Sequence, residues 1–301
     1  MKAYVVYNPT KIDDFDALRT AVEKASAEHG WDVPQLLETT QDDPGEGMAR
    51  TAVDDGADLV FSAGGDGTVM AVAAGLSRSG VPLAILPMGT GNLLARNLDL
   101  PLTVDEALEV AFTGIDRTID LGSSTAAGSE GAKIFAVMAG VGFDAAMMKD
   151  APEKVKEKIG WAAYLISGFK HLRDRAITVR LQIDGQPPLT RRVRSVIVGN
   201  VGELQGGPEL LPDAVPNDGK LDVVVLQPTR HRDWLRVIGR LIAHRKKEDR
   251  ELERFSGKRI EIRLARPLPS QLDGDPQDDV TSMTLEVVPA ALVVRVPQPA
   301  A

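Results

Sequence analysis

Two glycine-rich segments contain the residues of this sequence that could hold phosphate groups. The first is Ser62-Ala63-Gly64-Gly65-Asp66-Gly67-Thr68, and the second is Gly89-Thr90-Gly91-Asn92. Each follows a short apolar run and precedes a segment with helical spacing, which predicts a turn between a strand and a helix. Glycine lets backbone N–H groups approach a ligand closely, and a helix start adds partial positive charge. Two such turns one strand-helix unit apart predict a shared phosphate site.

Asp66 narrows the chemistry of the predicted site. A carboxylate beside phosphate oxygens is repelled unless a cation bridges them or the acid takes part in proton transfer. A nucleotide with Mg²⁺ satisfies both conditions, and Asp66 could orient the ion directly or through water. The alternative is that Asp66 only caps the following helix and that the glycines only turn the chain.

The segments around these turns predict a parallel sheet. Strands are expected at residues 3–7, 33–38, 58–63 and 82–87, and helices at residues 15–28 and 46–55. This alternation is typical of an α/β domain with a doubly wound parallel sheet, in which ligands bind at the carboxyl ends of the strands. Asn8, Thr39 or Thr40, and both glycine-rich segments fall at those ends. A single crevice at this edge of the sheet could contain all of these residues.

The second half of the chain predicts a β-rich domain. Residues 123–131 are small and polar, as in a linker or a hairpin loop. Strands are expected at residues 134–139, 177–184, 191–201, 221–226, 259–264, 283–288 and 292–296, with helices near residues 152–172 and 232–244. The predicted domains are residues 1–122 and 123–290, followed by a terminal strand and tail, residues 291–301. That strand stays in the second domain or returns to the first.

Composition restricts the function classes. A chain of 301 residues with 43% hydrophobic and 26% charged residues is typical of a globular protein with two domains. The absence of cysteine excludes disulfides and thiolate chemistry, and four scattered histidines make a zinc site an unfavourable interpretation. A net charge of −8 argues against general nucleic-acid binding. No apolar run approaches the length of about 20 residues that a membrane-spanning helix needs, and no signal sequence is evident, so a cytoplasmic protein is expected.

Three motifs, in order along the chain, resemble the diacylglycerol kinase catalytic family. They are Gly64-Gly65-Asp66-Gly67-Thr68, then Leu86-Pro87-Met88-Gly89-Thr90-Gly91-Asn92, and then Gly206-Gly207, Pro212-Asp213-Ala214 and Asp218-Gly219-Lys220-Leu221-Asp222. The chain looks most like the soluble bacterial lipid kinases, which are relatives of sphingosine and ceramide kinases. The glycine loop alone is shared with NAD kinases and resembles a phosphofructokinase loop, whereas the residues after Thr90 look like the lipid kinase version.

The resemblance implies a fold and a nucleotide site. An ATP-binding domain of the NAD kinase and phosphofructokinase type would precede a β-sandwich-like domain, with the nucleotide in a cleft between them and phosphoryl transfer onto a lipid hydroxyl. The nucleotide-binding positions carried over from the family are Asn8, Pro9, Thr39, Thr40, Gly64, Gly65, Asp66, Gly67, Thr68, Gly89, Thr90 and Asn92. After Asn-Pro the family often has a glycine, where this chain has Thr10-Lys11-Ile12.

The resemblance also implies a proton acceptor and a metal site. The family's Asp-Gly-Glu matches Asp273-Gly274-Asp275, so Asp275 is the first choice for the acceptor of the hydroxyl proton and Asp273 the second. With Asp66, these residues form the predicted catalytic set. A structural Mg²⁺ is implied at the Asp218 side chain, with the backbone carbonyls of Val215 and Lys220. From the residues alone, Asp-Gly is also a strong signal for a hairpin turn.

A lipid acceptor requires contact with a bilayer, and two basic segments could supply it. Residues 230–247 hold seven Arg and Lys residues and one acid beside Trp234, Leu235, Ile238 and Leu241. Such a helix could lie on an anionic membrane surface as a peripheral anchor. Residues 154–170 form the second candidate. The alternative is that the apolar residues pack into the core while the arginines are solvated.

The leading functional hypothesis is an ATP-dependent lipid kinase that uses Mg²⁺ and phosphorylates diacylglycerol to phosphatidic acid. Another lipid alcohol, such as a sphingoid base, ceramide or phosphatidylglycerol, is the first alternative. NAD kinase activity is a weaker alternative, and a catalytically silent nucleotide-binding membrane sensor comes from a different class. The sequence leaves the oligomeric state open, including a homodimer.

Overall fold

The structure is a computed structural model that describes residues 1–129, 131–142, 176–202, 210–227 and 252–299. The chain divides into two units. The first comprises residues 1–119 together with residues 290–301, and the second comprises residues 120–289. Within the described ranges, no helix is both long and apolar enough to cross a membrane.

Strands and helices alternate in the first unit. In chain order they are β1 (Ala3–Tyr7), a 3₁₀ helix (Pro9–Lys11), α1 (Phe15–Glu28), β2 (Gln35–Glu38), α2 (Glu46–Asp54), β3 (Leu59–Gly64), α3 (Asp66–Leu76), β4 (Leu83–Pro87), α4 (Leu93–Asn97) and α5 (Val104–Thr113). The strands pair in parallel in the order β2-β1-β3-β4. Residue Val294, near the end of the last strand of the chain, pairs in parallel with Leu83 of β4. The parallel sheet predicted from the sequence is confirmed.

The helices of this unit lie on both faces of its sheet. On one face, Val5, Phe61 and Leu86 from three neighbouring strands pack with Leu18 of α1 and Leu108 of α5. On the other face, α2 packs against α3 and β1. Successive residues of a strand point to opposite faces, so a strand covered on both sides is apolar throughout, as β3 is.

The second unit is built from antiparallel strands. They are β5 (Ile115–Ala126), β6 (Lys133–Phe135), β7 (Met138–Gly142), β8 (Ile177–Ile183), β9 (Leu189–Val193), β10 (Ser195–Gly199), β11 (Leu221–Leu226), β12 (Leu252–Gly257), β13 (Arg259–Leu272) and β14 (Asp275–Val296). β5 begins and β14 ends in residues that belong to the first unit. The strand order is β12-β11-β10-β7-β13-β14, and β8 also pairs with β13 and β9.

β13 changes its partner along its length. Residues 260–264 pair with β8, whereas residues 270–272 pair with β7. Between these two stretches the pairing of β13 with β14 shifts its register, between Arg263 and Leu268 and again between Leu268 and Ser270. Strands that pass from one sheet to another commonly do so at such irregularities. The predicted β-rich domain is confirmed.

Several strand predictions need correction. The strand expected at residues 134–139 is two strands, β6 and β7, and the strand expected at residues 191–201 is divided into β9 and β10 at Arg194. The two strands expected at residues 283–288 and 292–296 are parts of the single strand β14. An apolar run shows that residues are buried, but the break points depend on the hydrogen bonds of distant residues.

Of the two alternatives predicted for the polar segment at residues 123–131, a linker or a hairpin loop, the structure has the hairpin. β5 continues to Ala126, and antiparallel pairing of Ser123 with Ile134 joins it to β6, so this segment is a hairpin. The helices predicted near residues 152–172 and 232–244 lie outside the described residues.

Candidate functional site

The first unit brings its predicted binding residues to one edge of the sheet. The Asn8 N–H donates to the carbonyl of Ala63 over 2.9 Å, and the Thr39 N–H donates to the carbonyl of Tyr7 over 2.9 Å. The Met88 N–H donates to the carbonyl of Gly64 over 3.1 Å. The residues that follow β1, β2, β3 and β4 are therefore neighbours, because parallel strands end at the same edge.

Thr40 has a different role from its neighbour Thr39. Its hydroxyl oxygen accepts the N–H of Asp43 over 3.0 Å, and its own N–H donates to the Asp43 carbonyl over 2.9 Å. Asp43 in turn accepts the N–H groups of Gly45 and Gly47 at the start of α2. Thr40 thus closes the turn before α2, whereas Thr39 is buried at the end of β2.

The two glycine-rich loops are in contact through their backbones. A Cβ atom on Gly89 would lie 2.8 Å from the Cα of Gly65, and a Cβ on Gly64 would lie 2.5 Å from the hydroxyl oxygen of Thr68. These distances leave no room for a side chain, so close approach explains the glycines. The two glycine-rich loops therefore form one continuous backbone surface in the first unit.

Asp66 ties the second loop to the first. It is the first residue of α3, and its carboxylate accepts the N–H of Asn92 over 3.0 Å and that of Leu93 over 2.5 Å. The side chain of Asn92 accepts the N–H of Gly89 and donates to the carbonyl of Gly89. The suggestion that Asp66 only caps its own helix is wrong, because the carboxylate caps the start of α4 instead.

The start of α3 has the properties of a phosphate-binding site. Its N-cap is Gly65, and no side chain makes a capping hydrogen bond there. Residues 65–67 are half-buried, whereas Thr68 is buried. The first amides of a helix need acceptors from outside the helix, and the helix dipole favours an anion at this end. The loop backbone, with space made by glycines, fits the phosphates of a nucleotide.

Lys11 is a candidate that the sequence analysis missed. Its Cε lies 3.9 Å from the position of a Cβ on Gly65, which brings an exposed lysine to the glycine loop. No ion pair of Lys11 with the described residues is present. A basic residue three positions after Asn8 was the available signal, and the missing family glycine at this point obscured it.

The Asp-Gly pair of the second unit forms a hairpin turn between β13 and β14. Leu272 pairs with Asp275, and the two residues between them, Asp273 and Gly274, have φ values of +48° and +89°. Two positive φ values are typical of a type I′ turn, in which Asp-Gly is favoured. The side chain of Asp275 is exposed at the beginning of β14.

The carboxylate of Asp273 is buried and binds the backbone of the second unit. It is only 6% exposed, and its carboxylate accepts three backbone N–H groups. Oδ2 accepts from Ala136 over 2.7 Å, and Oδ1 accepts from Val137 and Met138, each over 2.8 Å. These amides lie at the junction of β6 and β7, so Asp273 explains why the two strands are separate. Of the two hairpin acids, Asp275 is the exposed one.

The predicted metal residues lie on one turn before β11. The carbonyl of Val215 accepts the N–H of Asp218 over 3.4 Å, and Oδ1 of Asp218 accepts the N–H of Lys220 over 2.9 Å. Oδ2 of Asp218 accepts no hydrogen bond from the described residues. Carboxylate and carbonyl oxygens are suitable ligands for a hard cation such as Mg²⁺. A group of three or more His, Cys, Asp and Glu side chains placed to hold a metal is absent from the described part of the chain.

Negative charge accumulates around this turn. Burial, together with the charges of Asp218 and Asp213, raises the pKa of Asp222 to about 6, while Lys220 lowers it. Asp120 is 3% exposed and accepts the N–H of Gly219 over 2.7 Å through Oδ2. A cation would reduce the repulsion among these carboxylates, so the turn fits the predicted ion. An aspartate between the apolar residues Ile119 and Leu121 was the signal for Asp120, which the sequence analysis did not use.

The two basic segments predicted to contact a membrane, residues 154–170 and 230–247, lie outside the described residues. The motif residues Gly206 and Gly207 lie outside them as well.

Comparison with known proteins assigns each part of the chain to a domain family. Residues 2–124 match the family described as the diacylglycerol kinase catalytic domain. Residues 136–296 match the family described as the YegS C-terminal NAD kinase beta sandwich-like domain. The first match contains both glycine-rich loops, and the second contains the hairpin of Asp273 and the turn of Asp218.

Individual relatives agree with this assignment over nearly the full chain. A Pseudomonas fluorescens protein named "Probable lipid kinase YegS-like" is 31% identical over 94% of this chain and 91% of its own length. A protein of Bacillus subtilis strain 168 named diacylglycerol kinase is 25% identical over 91% of this chain and 89% of its own length. A crystal structure of a diacylglycerol kinase from Bacillus anthracis Sterne has the same fold, with a TM-score of 0.75 at 21% identity, and the match covers 99% of this chain and 97% of that one.

Proposed function

The chain belongs to the bacterial lipid kinase family that combines a diacylglycerol kinase catalytic domain with a YegS C-terminal domain, and we propose that it transfers the γ-phosphate of ATP to diacylglycerol, giving phosphatidic acid. The observation that carries the proposal is the backbone contact between the two glycine-rich loops at the start of α3, where no side chain caps the helix.

The first unit would bind the nucleotide. The amides at the start of α3 hold phosphate oxygens, and Lys11 adds a positive charge beside Gly65. Asp66 keeps the second loop against the first, because its carboxylate binds the N–H groups of Asn92 and Leu93. Phosphoryl transfer depends mainly on position and charge neutralisation, so a rigid cradle of backbone donors is what the reaction requires from this unit.

The second unit would supply the acceptor of the hydroxyl proton. Asp275 is exposed, while the carboxylate of Asp273 is buried and bound to three backbone N–H groups. A general base needs a carboxylate oxygen that can reach the acceptor hydroxyl. We therefore assign the proton transfer to Asp275 and the shape of the hairpin to Asp273.

The turn that includes Val215, Asp218 and Lys220 would hold Mg²⁺ through one carboxylate and two carbonyl oxygens. When bound there, the ion supplies positive charge that fixes the turn and offsets the charges of Asp213 and Asp222. The residues themselves already form the turn, with Asp120 binding the N–H of Gly219.

Another lipid alcohol is the second candidate acceptor. The relative that is 31% identical is named only as a lipid kinase, whereas the relative named diacylglycerol kinase is 25% identical. The acceptor is therefore tested by transfer of labelled γ-phosphate from Mg-ATP into diacylglycerol, sphingosine, ceramide and phosphatidylglycerol in mixed micelles, with NAD as a soluble control.

The expected result is label in phosphatidic acid with wild-type protein and almost none with Asp275→Asn. Asp279→Asn is the matched control, since it removes an exposed carboxylate from the same strand. Label in a different lipid would replace diacylglycerol as the acceptor but keep the rest of the proposal. Label in NAD alone would contradict lipid phosphorylation altogether.

A further inference from the structure

One face of the sheet formed by β8, β9 and β13 is polar and open to solvent. Along β8, Ile177, Val179 and Leu181 are buried, while Thr178 and Arg180 between them are exposed. Successive residues of a strand point to opposite faces, so Thr178 and Arg180 share the outer face. The same alternation places Arg192 of β9 and Arg263 of β13 outward, and both are exposed.

Two arginines of this face lie directly opposite each other. Arg180 of β8 pairs with Arg263 of β13 in the antiparallel ladder. Cβ atoms of directly opposite residues are about 4.5–5.5 Å apart, and like charges in these positions destabilise a sheet. Arg192 adds a third positive charge, because it pairs with Thr178, two residues before Arg180. Three arginines therefore form a row across three neighbouring strands.

The acids on this face balance only part of its positive charge. Glu261 lies 3.8 Å from Arg263, but the same carboxylate is 3.1 Å from Arg259, and Arg259 also contacts Glu286. No acid among the described residues forms an ion pair with Arg180 or Arg192. Positive charge is left on this face, although the chain as a whole has a net charge of −8.

A small cavity opens between the paired arginines. Its volume is about 60 Å³, and its lining is Arg180, Gln182, Glu261 and Arg263. A cavity of about 10–15 Å³ on the same measure holds one water molecule, so a group larger than water can enter this one. Nε2 of Gln182 donates one hydrogen to the carbonyl of Gln186 over 3.1 Å and has a second hydrogen for a ligand, and the carboxylate of Glu261 lies near both Arg259 and Arg263.

We propose that Arg180 and Arg263 form an accessory binding site for one phosphate group, with Gln182 as a further donor and Arg192 beside it. Planar guanidinium groups bind phosphate oxygens through two parallel hydrogen bonds, and a shared anion converts the repulsion between the two arginines into attraction. The phosphate group is that of a free phosphate ion or of a phospholipid headgroup, since both present the same oxygens.

This site shares no residue with the glycine loops and does not depend on the proposed kinase activity. All of its residues belong to the second unit, whereas both glycine loops belong to the first. The glycine-loop site uses backbone amides, while the accessory site uses side chains only. Mutations can therefore remove the accessory site without changing any residue assigned to nucleotide binding or proton transfer.

Binding is measured with the full chain in saturating ADP, which occupies the nucleotide site in every protein compared. Calorimetric titration with inorganic phosphate, at an ionic strength held constant with NaCl, compares wild type, the double variant Arg180→Gln/Arg263→Gln and the control Arg266→Gln. Arg266 is exposed on the same strand β13 but does not line the cavity. A charge-assisted contact contributes enough that its loss weakens binding about tenfold or more, so the double variant should bind phosphate at least tenfold more weakly.

The source of the phosphate group is tested with vesicles. The proteins are sedimented with phosphatidylcholine vesicles that contain about one-fifth phosphatidic acid. If lipid headgroups enter the site, a smaller fraction of the double variant than of wild type should sediment with the vesicles. If wild type and the double variant differ in their affinity for free phosphate but not in vesicle binding, the ligand is the soluble ion. The proposal is overturned if wild type and the double variant bind phosphate equally, or if Arg266→Gln weakens binding as much as the double variant does.

The melting temperature of the single variant Arg180→Gln tests the proposal even if the double variant fails to fold. In phosphate-free buffer, Arg180→Gln removes repulsion between opposite arginines and should leave the melting temperature equal to or higher than that of wild type. Added phosphate should then raise the melting temperature of wild type more than that of the variant. A variant that melts lower than wild type in phosphate-free buffer would show that the pair is not repulsive, which contradicts the physical basis of the site.

Discussion

The same substitution at two positions of the β13–β14 hairpin can separate the structural role of Asp273 from the role of proton acceptor proposed for Asp275. Asp273→Asn retains a side chain that tolerates the φ of +48°, so the turn itself should persist. One oxygen can still accept the N–H groups of Val137 and Met138. The other oxygen becomes an NH₂ donor, which faces the N–H of Ala136 and leaves that buried amide without an acceptor.

The magnitude follows from the number of amides affected. A buried polar group without a partner costs about 1–3 kcal/mol, so Asp273→Asn should lower the free energy of unfolding by about 2 kcal/mol. Asp273→Ala removes the acceptor of all three N–H groups and should lower it by about 3–9 kcal/mol. For a domain of this size the first change corresponds to a melting temperature lower by about 4–8 °C.

Asp275→Asn should instead lower the rate of phosphate transfer and leave the stability almost unchanged. Asp275 is exposed, and substitutions at exposed positions usually change the free energy of unfolding by no more than about 0.5 kcal/mol, so the melting curve of this variant should lie close to that of wild type. Removal of a general base should lower kcat about 100-fold or more, while ATP affinity stays the same.

Both variants are compared with wild type and Asp279→Asn by thermal unfolding followed by circular dichroism, by ATP titration and by labelled phosphate transfer. If Asp273→Asn melts with wild type, its three hydrogen bonds do not stabilise the hairpin as argued. If Asp275→Asn keeps its turnover, proton transfer to Asp275 is refuted, whatever the stability data show.

Three further predictions concern the nucleotide site and the metal turn. Gly89→Ala places a methyl group 2.8 Å from the Cα of Gly65, so the KM for ATP should rise about tenfold, whereas Gly131→Ala, which has no atom within 4 Å of its new methyl, should behave as wild type. Equal kinetics for the two alanine variants would show that the loops need not touch. Lys11→Met should weaken ATP binding about tenfold at low salt and less at high salt, as measured by calorimetry; an effect independent of salt would exclude a charge contact with the phosphates. Mg²⁺ should raise the melting temperature of wild type but not of Asp218→Asn, and a chelator should reverse the rise; an equal response of both proteins would exclude Asp218 as a ligand.

The sequence determined much of this protein because several of its signals are local. The buried run of β3 followed by Gly64-Gly65-Asp66-Gly67 could be read as a strand, a turn and a helix start without any knowledge of distant residues. The Asp-Gly pair at residues 273–274 likewise favours a two-residue hairpin turn in any context, since both residues tolerate positive φ.

The tertiary structure decided what the acidic side chains do. The carboxylate of Asp66 binds amides that are 26 and 27 residues away, and that of Asp273 binds amides at least 135 residues away. Neither partner can be found from local spacing, because it depends on how strands pair. The same pairing brought Arg180 and Arg263 to opposite positions in neighbouring strands, although they are far apart in the sequence. Local sequence specifies which backbone conformations are favourable, whereas only the register between strands specifies which charges and donors meet.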